Sequence, residues 1–173
     1  MKNHLLAVLA FSGAVLLSHT SAVGQDNGAQ ASAMSQSSQS AVDQDVELLR
    51  KDIRSQKKQL IAANIQLTDA EAQKFWPVYD QYTAELVQIN NDKYALIKEY
   101  AQNYGSMTDA QADNWAQRSL KLDADVAALR LKYWPNFRKL LPAKKAALYE
   151  QVERRAQMLI DIQLASQIPL LQP

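Results

Sequence analysis

The chain has no cysteine, and its only two histidines, His4 and His19, stand close to the start. Without cysteine there is no disulfide, no thiolate nucleophile and no lipid-modified cysteine anchor. Zinc and copper sites lean on imidazole and thiolate, so the scarcity of both argues against such a centre. Glycine is nearly as rare, for Gly105 is the only one from Val42 onward. No stretch alternates apolar and polar residues for long enough to argue a strand. What remains is a chain of 173 residues, 47% hydrophobic but only 8% aromatic, with 19 basic and 18 acidic residues and a formal charge of +1.

The start of the chain reads differently from the rest. Lys2 and His4 precede the uncharged run Leu5 to Leu17, and Thr20-Ser21-Ala22 supplies small residues after it. This pattern predicts a secretory signal peptide over 1–22, cleaved near Ala22, and a periplasmic or secreted protein. The apolar run is shorter than the roughly 20 residues a spanning helix needs. Cleavage removes both histidines together with Lys2, so the charge falls from +1 to 0. Catalytic dyads and triads that use His or Cys leave with them, and no residue set points to a metal or cofactor. Residues 23–42 are rich in Gln, Ser and Ala with almost nothing to bury, which predicts a disordered leader. A helical domain is expected over 43–168, with a short tail at 169–173. That is enough chain for one hydrophobic core.

Apolar residues in the domain recur at intervals of three and four, often close to seven. A first helix from about Asp43 to Asn64 carries Val46, Leu49, Ile53, Leu60 and Ala63. A second carries Phe75, Tyr79, Tyr82, Leu86, Ile89, Leu96 and Tyr100, with Lys93 in register. The third stripe is Trp115, Leu122, Val126, Leu129, Tyr133 and Leu140. The fourth is Leu148, Val152, Leu159, Ile162 and Ala165, with Arg155 in register. The spacing predicts an all-α fold, an antiparallel four-helix arrangement built on a long, bent helical hairpin.

Boundary residues sharpen this outline. Thr68 with Glu71, and Thr108 with Gln111, fit the capping box, in which hydroxyl and N3 side chain each satisfy a backbone N–H of the other residue. Gly105 is placed to close the second helix in a left-handed conformation. Pro142 suits the first turn of the fourth helix. Pro77 and Pro135 fall well inside the second and third helices, where each deletes one backbone bond and is expected to kink its helix. Trp76 precedes Gly105 by 29 residues and Trp134 follows it by 29, so an antiparallel hairpin sets the two Trp-Pro clusters at one height. Phe75, Trp76, Tyr79, Tyr133, Trp134 and Phe137 then have two readings. They are large core residues, or they line a concave face that holds an apolar client.

Leu67-Thr68-Asp69-Ala70-Glu71 and Met107-Thr108-Asp109-Ala110-Gln111 carry a resemblance. They resemble the paired Leu-Thr-x-x-Gln signature of the Spy/CpxP-like periplasmic helical proteins, the LTxxQ-motif family, with Glu for Gln in the first copy and Met for Leu in the second. The likeness covers most of Leu67 to Arg155. Leu141-Pro142-Ala143-Lys144-Lys145 lacks both the Thr and the Gln of a further signature. With its Trp-Pro clusters the chain resembles a separate exported branch of that family. The resemblance implies a bent helical hairpin, typically a cradle-shaped homodimer, and a chaperone-like or envelope-stress role. Metal sensing through histidines is not implied, because the mature chain has none.

Charge adds a second candidate surface. From Arg130 to Arg155 eight basic residues stand against Glu150 and Glu153. Arg138, Lys139, Lys144 and Lys145 are either a solvated corner or a patch for an acidic partner such as a lipid head group or an unfolded acidic segment. The neutral balance of the mature chain argues against nucleic acid. Three function classes follow. The first is an exported binding protein that holds apolar or unfolded clients. The second is a non-enzymatic adaptor or signalling partner docked on an envelope sensor. An enzyme is third, since Asp109, Asp113, Asp123 and Asp125 lie at mixed helical spacings that suit a solvated face better than an acid–base pair.

Overall fold

A computed structural model of the chain describes residues 27–171, with side chains described from residue 44. The signal-peptide reading of 1–22 lies outside the described residues. Four helices follow one another: α1 (Asn27–Ile65), α2 (Asp69–Asn103), α3 (Asp109–Leu140) and α4 (Ala143–Ala165). Among the described residues there is no strand, and the fold is all-α. Among the described residues, those up to Gln56 form one unit and those from Lys57 onward a second. Within the first, Glu47 accepts from Arg50 at 3.4 Å and from Arg54 at 2.8 Å along the helix surface.

The second unit is an antiparallel bundle, and its side-chain pairs fix the register. Between α2 and α3, Phe75 meets Phe137 (ring centroids 5.4 Å), Tyr82 meets Tyr133 (5.6 Å), and Glu99 meets Arg118 (2.8 Å). Numbers rise on one helix as they fall on the other, so the two Trp-Pro clusters do stand at one height. Helix α4 runs alongside α2 in the same sense. Phe75 packs on Tyr149 at 5.1 Å, Lys93 pairs with Asp161 at 3.0 Å, and the Tyr100 hydroxyl donates to the Pro169 carbonyl at 2.7 Å.

Both capping boxes form. The Glu71 and Gln111 amides donate to Thr68 and Thr108 Oγ1 at 3.3 Å, and the Thr68 and Thr108 amides donate to the Glu71 and Gln111 side chains at 2.9 Å. Pro77 and Pro135 sit inside α2 and α3, each of which continues as helix through its proline. Three boundary expectations need correction. Helix α1 begins at Asn27 rather than near Asp43, because residues 29–42 contain neither Gly nor Pro and their Ala, Gln and Met favour helix. Gly105 is not left-handed: α2 closes on Tyr104 in the right-handed region, and the chain turns through a Ser106 amide bond to the Asn103 carbonyl at 2.9 Å. Among the described residues the left-handed one is Gln66, with φ of 42°, just after α1. Pro142 stands one residue earlier than expected, at the N-cap of α4, where it offers no side-chain cap.

Candidate functional site

The aromatic clusters are core. Phe75, Tyr79, Tyr133 and Phe137 are buried, while Trp76 and Trp134 are half-buried and packed against them. Phe75 is fully enclosed, with Trp76, Phe137 and Tyr149 rings at 5.0, 5.4 and 5.1 Å. Such offset and edge-on pairs each add about 0.5–1.5 kcal/mol beyond the area they bury. A client could reach the faces of these four rings only by displacing their neighbours. This corrects their reading as an open binding face: the hairpin brings the rings together, and α4 then covers them with Ala146, Tyr149 and Val152.

A polar cluster that sequence reasoning missed lies beside them. Glu153 is 2% exposed and pairs with Lys57 at 2.5 Å. The Tyr82 hydroxyl donates to the same Glu153 oxygen at 3.0 Å, and Lys57 also donates to Gln157 at 3.2 Å. A cavity of about 20 Å³ adjoins this group, with Tyr82, Arg130, Tyr133, Tyr149 and Glu153 in its walls. Burial and then the Glu153 charge push the Tyr79, Tyr82 and Tyr149 hydroxyls well above the usual tyrosine range. One buried carboxylate matched by one lysine, on helices α4 and α1, has the makings of a register pin rather than an acid–base pair. The signal for it was available. Lys57, Ile61 and Ile65 recur at intervals of four, and among the described side chains these are the ones that α1 buries, whereas Leu60 and Ala63 face out.

The basic corner divides. Arg138 donates to the Leu141 carbonyl at 2.8 Å and so closes α3. Lys145 donates to Glu71 at 2.7 Å and to the Gln66 carbonyl at 3.2 Å, clamping α4 onto the turn between α1 and α2. That hydrogen bond, with those from Thr68, holds the Glu71 carboxyl below the usual range. Both are structural residues, which removes them from a partner-binding patch. Lys139 and Lys144 remain exposed, with Arg154 and Arg155 beyond them.

An open apolar surface lies on α4. Its expected apolar stripe is turned to solvent everywhere but at Val152. Leu148 is 41% exposed, Leu159 66% and Ile162 63%, and Met158 joins them at 51%. The core face is instead Ala146, Tyr149, Val152, Glu153 and Ala156. Lys144, Leu148, Arg155, Leu159 and Ile162 follow at intervals of four, seven, four and three, which sets them in one line along the outside of the helix. Contiguous exposed apolar side chains on a folded domain mark an interaction site more often than scattered ones do.

Among the described residues no group of His, Cys, Asp or Glu is arranged to hold a metal ion, and no helix is long and apolar enough to cross a membrane. Comparison of the chain with protein-family models, with curated proteins and with solved structures gave no match.

Proposed function

We propose that the chain is an exported, non-enzymatic helical binding protein of the Spy/CpxP-like kind, which holds apolar or unfolded protein segments on the outer face of α4. One observation carries this reading. Leu148, Met158, Leu159 and Ile162 lie in the solvent on a helix whose opposite face is already committed to the core. Leaving several large apolar side chains in water costs the folded protein the stabilisation their burial would bring, about 1.5–3 kcal/mol for each one fully buried. A protein segment laid over them recovers part of that. The capping boxes at Thr68 and Thr108 support the family resemblance, and the apolar run Leu5 to Leu17 supports export. The role the aromatics were expected to play passes to α4.

The test is suppression of aggregation. Purified protein at several-fold excess over a chemically unfolded client is expected to lower light scattering in proportion to its concentration. Unchanged scattering across several clients would reject the reading. Recovery of a single envelope protein in a pull-down, with no protection of general clients, would favour an adaptor instead.

A further inference from the structure

Several cations of the bundle are held in ion pairs. Lys58 pairs with Asp80, Lys93 with Asp161, Arg118 with Glu99, Lys121 with Asp125, Lys132 with Glu85 and Lys145 with Glu71. Lys144, Arg154 and Arg155 are exposed and make no ion pair among the described residues, although Glu150 lies only one turn before Arg154. Lys144 also sits in the first turn of α4, against the helix dipole and with no acid in that turn. Two of these cations, Lys144 and Arg155, share the outer line of the helix with Leu148, Leu159 and Ile162. Along the line Lys144 is followed by Leu148, then Arg155, and Leu159 and Ile162 make its apolar end. The line spans about 27 Å at 1.5 Å per residue.

We infer that this line selects acidic amphipathic protein segments, with carboxylates over Lys144 and Arg155 and apolar side chains over Leu159 and Ile162. The inference rests on the client-holding reading above and narrows it to one class of client. Charge complementarity of this kind contributes selectivity and association rate more than raw affinity. A protein segment fits better than a bilayer surface. An interfacial helix sinks its apolar face about 5–10 Å into the lipid and keeps its cations at the polar side. Here Arg155 interrupts the apolar line between Leu148 and Leu159, where a carboxylate on a peptide can meet it but an acyl chain cannot.

The experiment uses three fluorescent peptides of about 18 residues with one apolar pattern and with Glu, Gln or Lys at the polar positions. Their binding to the purified protein is read by anisotropy at low and high salt. The Glu peptide is expected to bind about tenfold more tightly than the Gln peptide, as two exposed charge pairs would allow, and the Lys peptide most weakly. Salt is expected to close the gap. The double variant Lys144→Gln/Arg155→Gln is expected to bind Glu and Gln peptides alike. Equal affinity of the native protein for Glu and Gln peptides would overturn the selectivity while leaving client holding intact. Failure to bind any of the three would overturn both. Tighter binding to vesicles rich in anionic lipid than to the Glu peptide would overturn the choice of a protein segment.

Discussion

Helices α2 and α4 both carry an apolar stripe at helical spacing, and the two stripes have opposite fates. On α2 the residues Phe75, Tyr79, Tyr82, Leu86, Leu96 and Tyr100 are all buried. On α4 the stripe from Leu148 to Ile162 faces water except at Val152, and a second stripe of small and aromatic residues does the packing. The difference teaches that periodicity marks an amphipathic helix without saying which face the bundle takes. On α2 the choice is forced, since its stripe holds four of the aromatic rings and the opposite face is polar. On α4 two faces compete. The narrower one wins because Ala146 and Ala156 let the helix approach closely, Tyr149 fills the space beside Phe75 and Phe137, and Glu153 meets Lys57.

If this contrast is right, perturbing the buried face must be costly and perturbing the outer one cheap. The largest effect is expected at alkaline pH. Tyr79, Tyr82 and Tyr149 hold their protons far above the unfolded value of about 10, and Tyr133, donating to Glu85, is raised to about 12. A folded-state pKa above the unfolded one gives stability that is complete below the unfolded value and is lost as pH rises towards the folded value. Ionisation of these four tyrosines and loss of helical circular dichroism should therefore come together, in one cooperative step above about pH 10. Smooth ionisation of these tyrosines with the helices intact would contradict the burial.

Substitution in the α2 face comes next. Phe75→Ala is expected to lose about 3–5 kcal/mol in urea unfolding, as a truncated aromatic in a full core does. Glu153→Ala should cost a similar or slightly smaller amount, about 3–5 kcal/mol, because it strands the Lys57 ammonium. The double variant Lys57→Met/Glu153→Leu should recover most of that loss; if it is as unstable as the single variant, the pair contributes net stability and is more than a register pin. Removing one cap, Thr68→Ala or Thr108→Ala, should cost about 1 kcal/mol. Leu159→Ala on the outer face should shift stability by no more than about 0.5 kcal/mol. A loss near that of Phe75→Ala would mean that the α4 stripe is core after all.

Much of the fold was legible in the residues. The four helices, the caps at Thr68 and Thr108, and the common height of the Trp-Pro clusters follow from spacing and hydrogen-bonding chemistry alone. The turns were harder. Gly105 looked like a left-handed stop, yet a right-handed turn after Tyr104 serves there and Gln66 takes the strained conformation elsewhere. The candidate site was the least legible part. Ring count on α2 and α3 drew attention to the aromatics, but whether a ring is lining or core depends on what covers it, and that is decided by α4. Lys57 and Glu153 lie almost a hundred residues apart in the chain, and only the packing of α1 on α4 makes them partners.

The central claim is that the outer face of α4 is open and is where a client sits. The absence of cysteine allows a direct measurement of this. A single Leu159→Cys substitution supplies one thiol, whose reaction with a small thiol reagent can be timed with and without an unfolded client. The account predicts reaction at nearly the rate of an unstructured peptide in the free protein, and clear protection once the client is added. Slow reaction in the free protein, or a rate that the client leaves unchanged while its aggregation is suppressed, would contradict it.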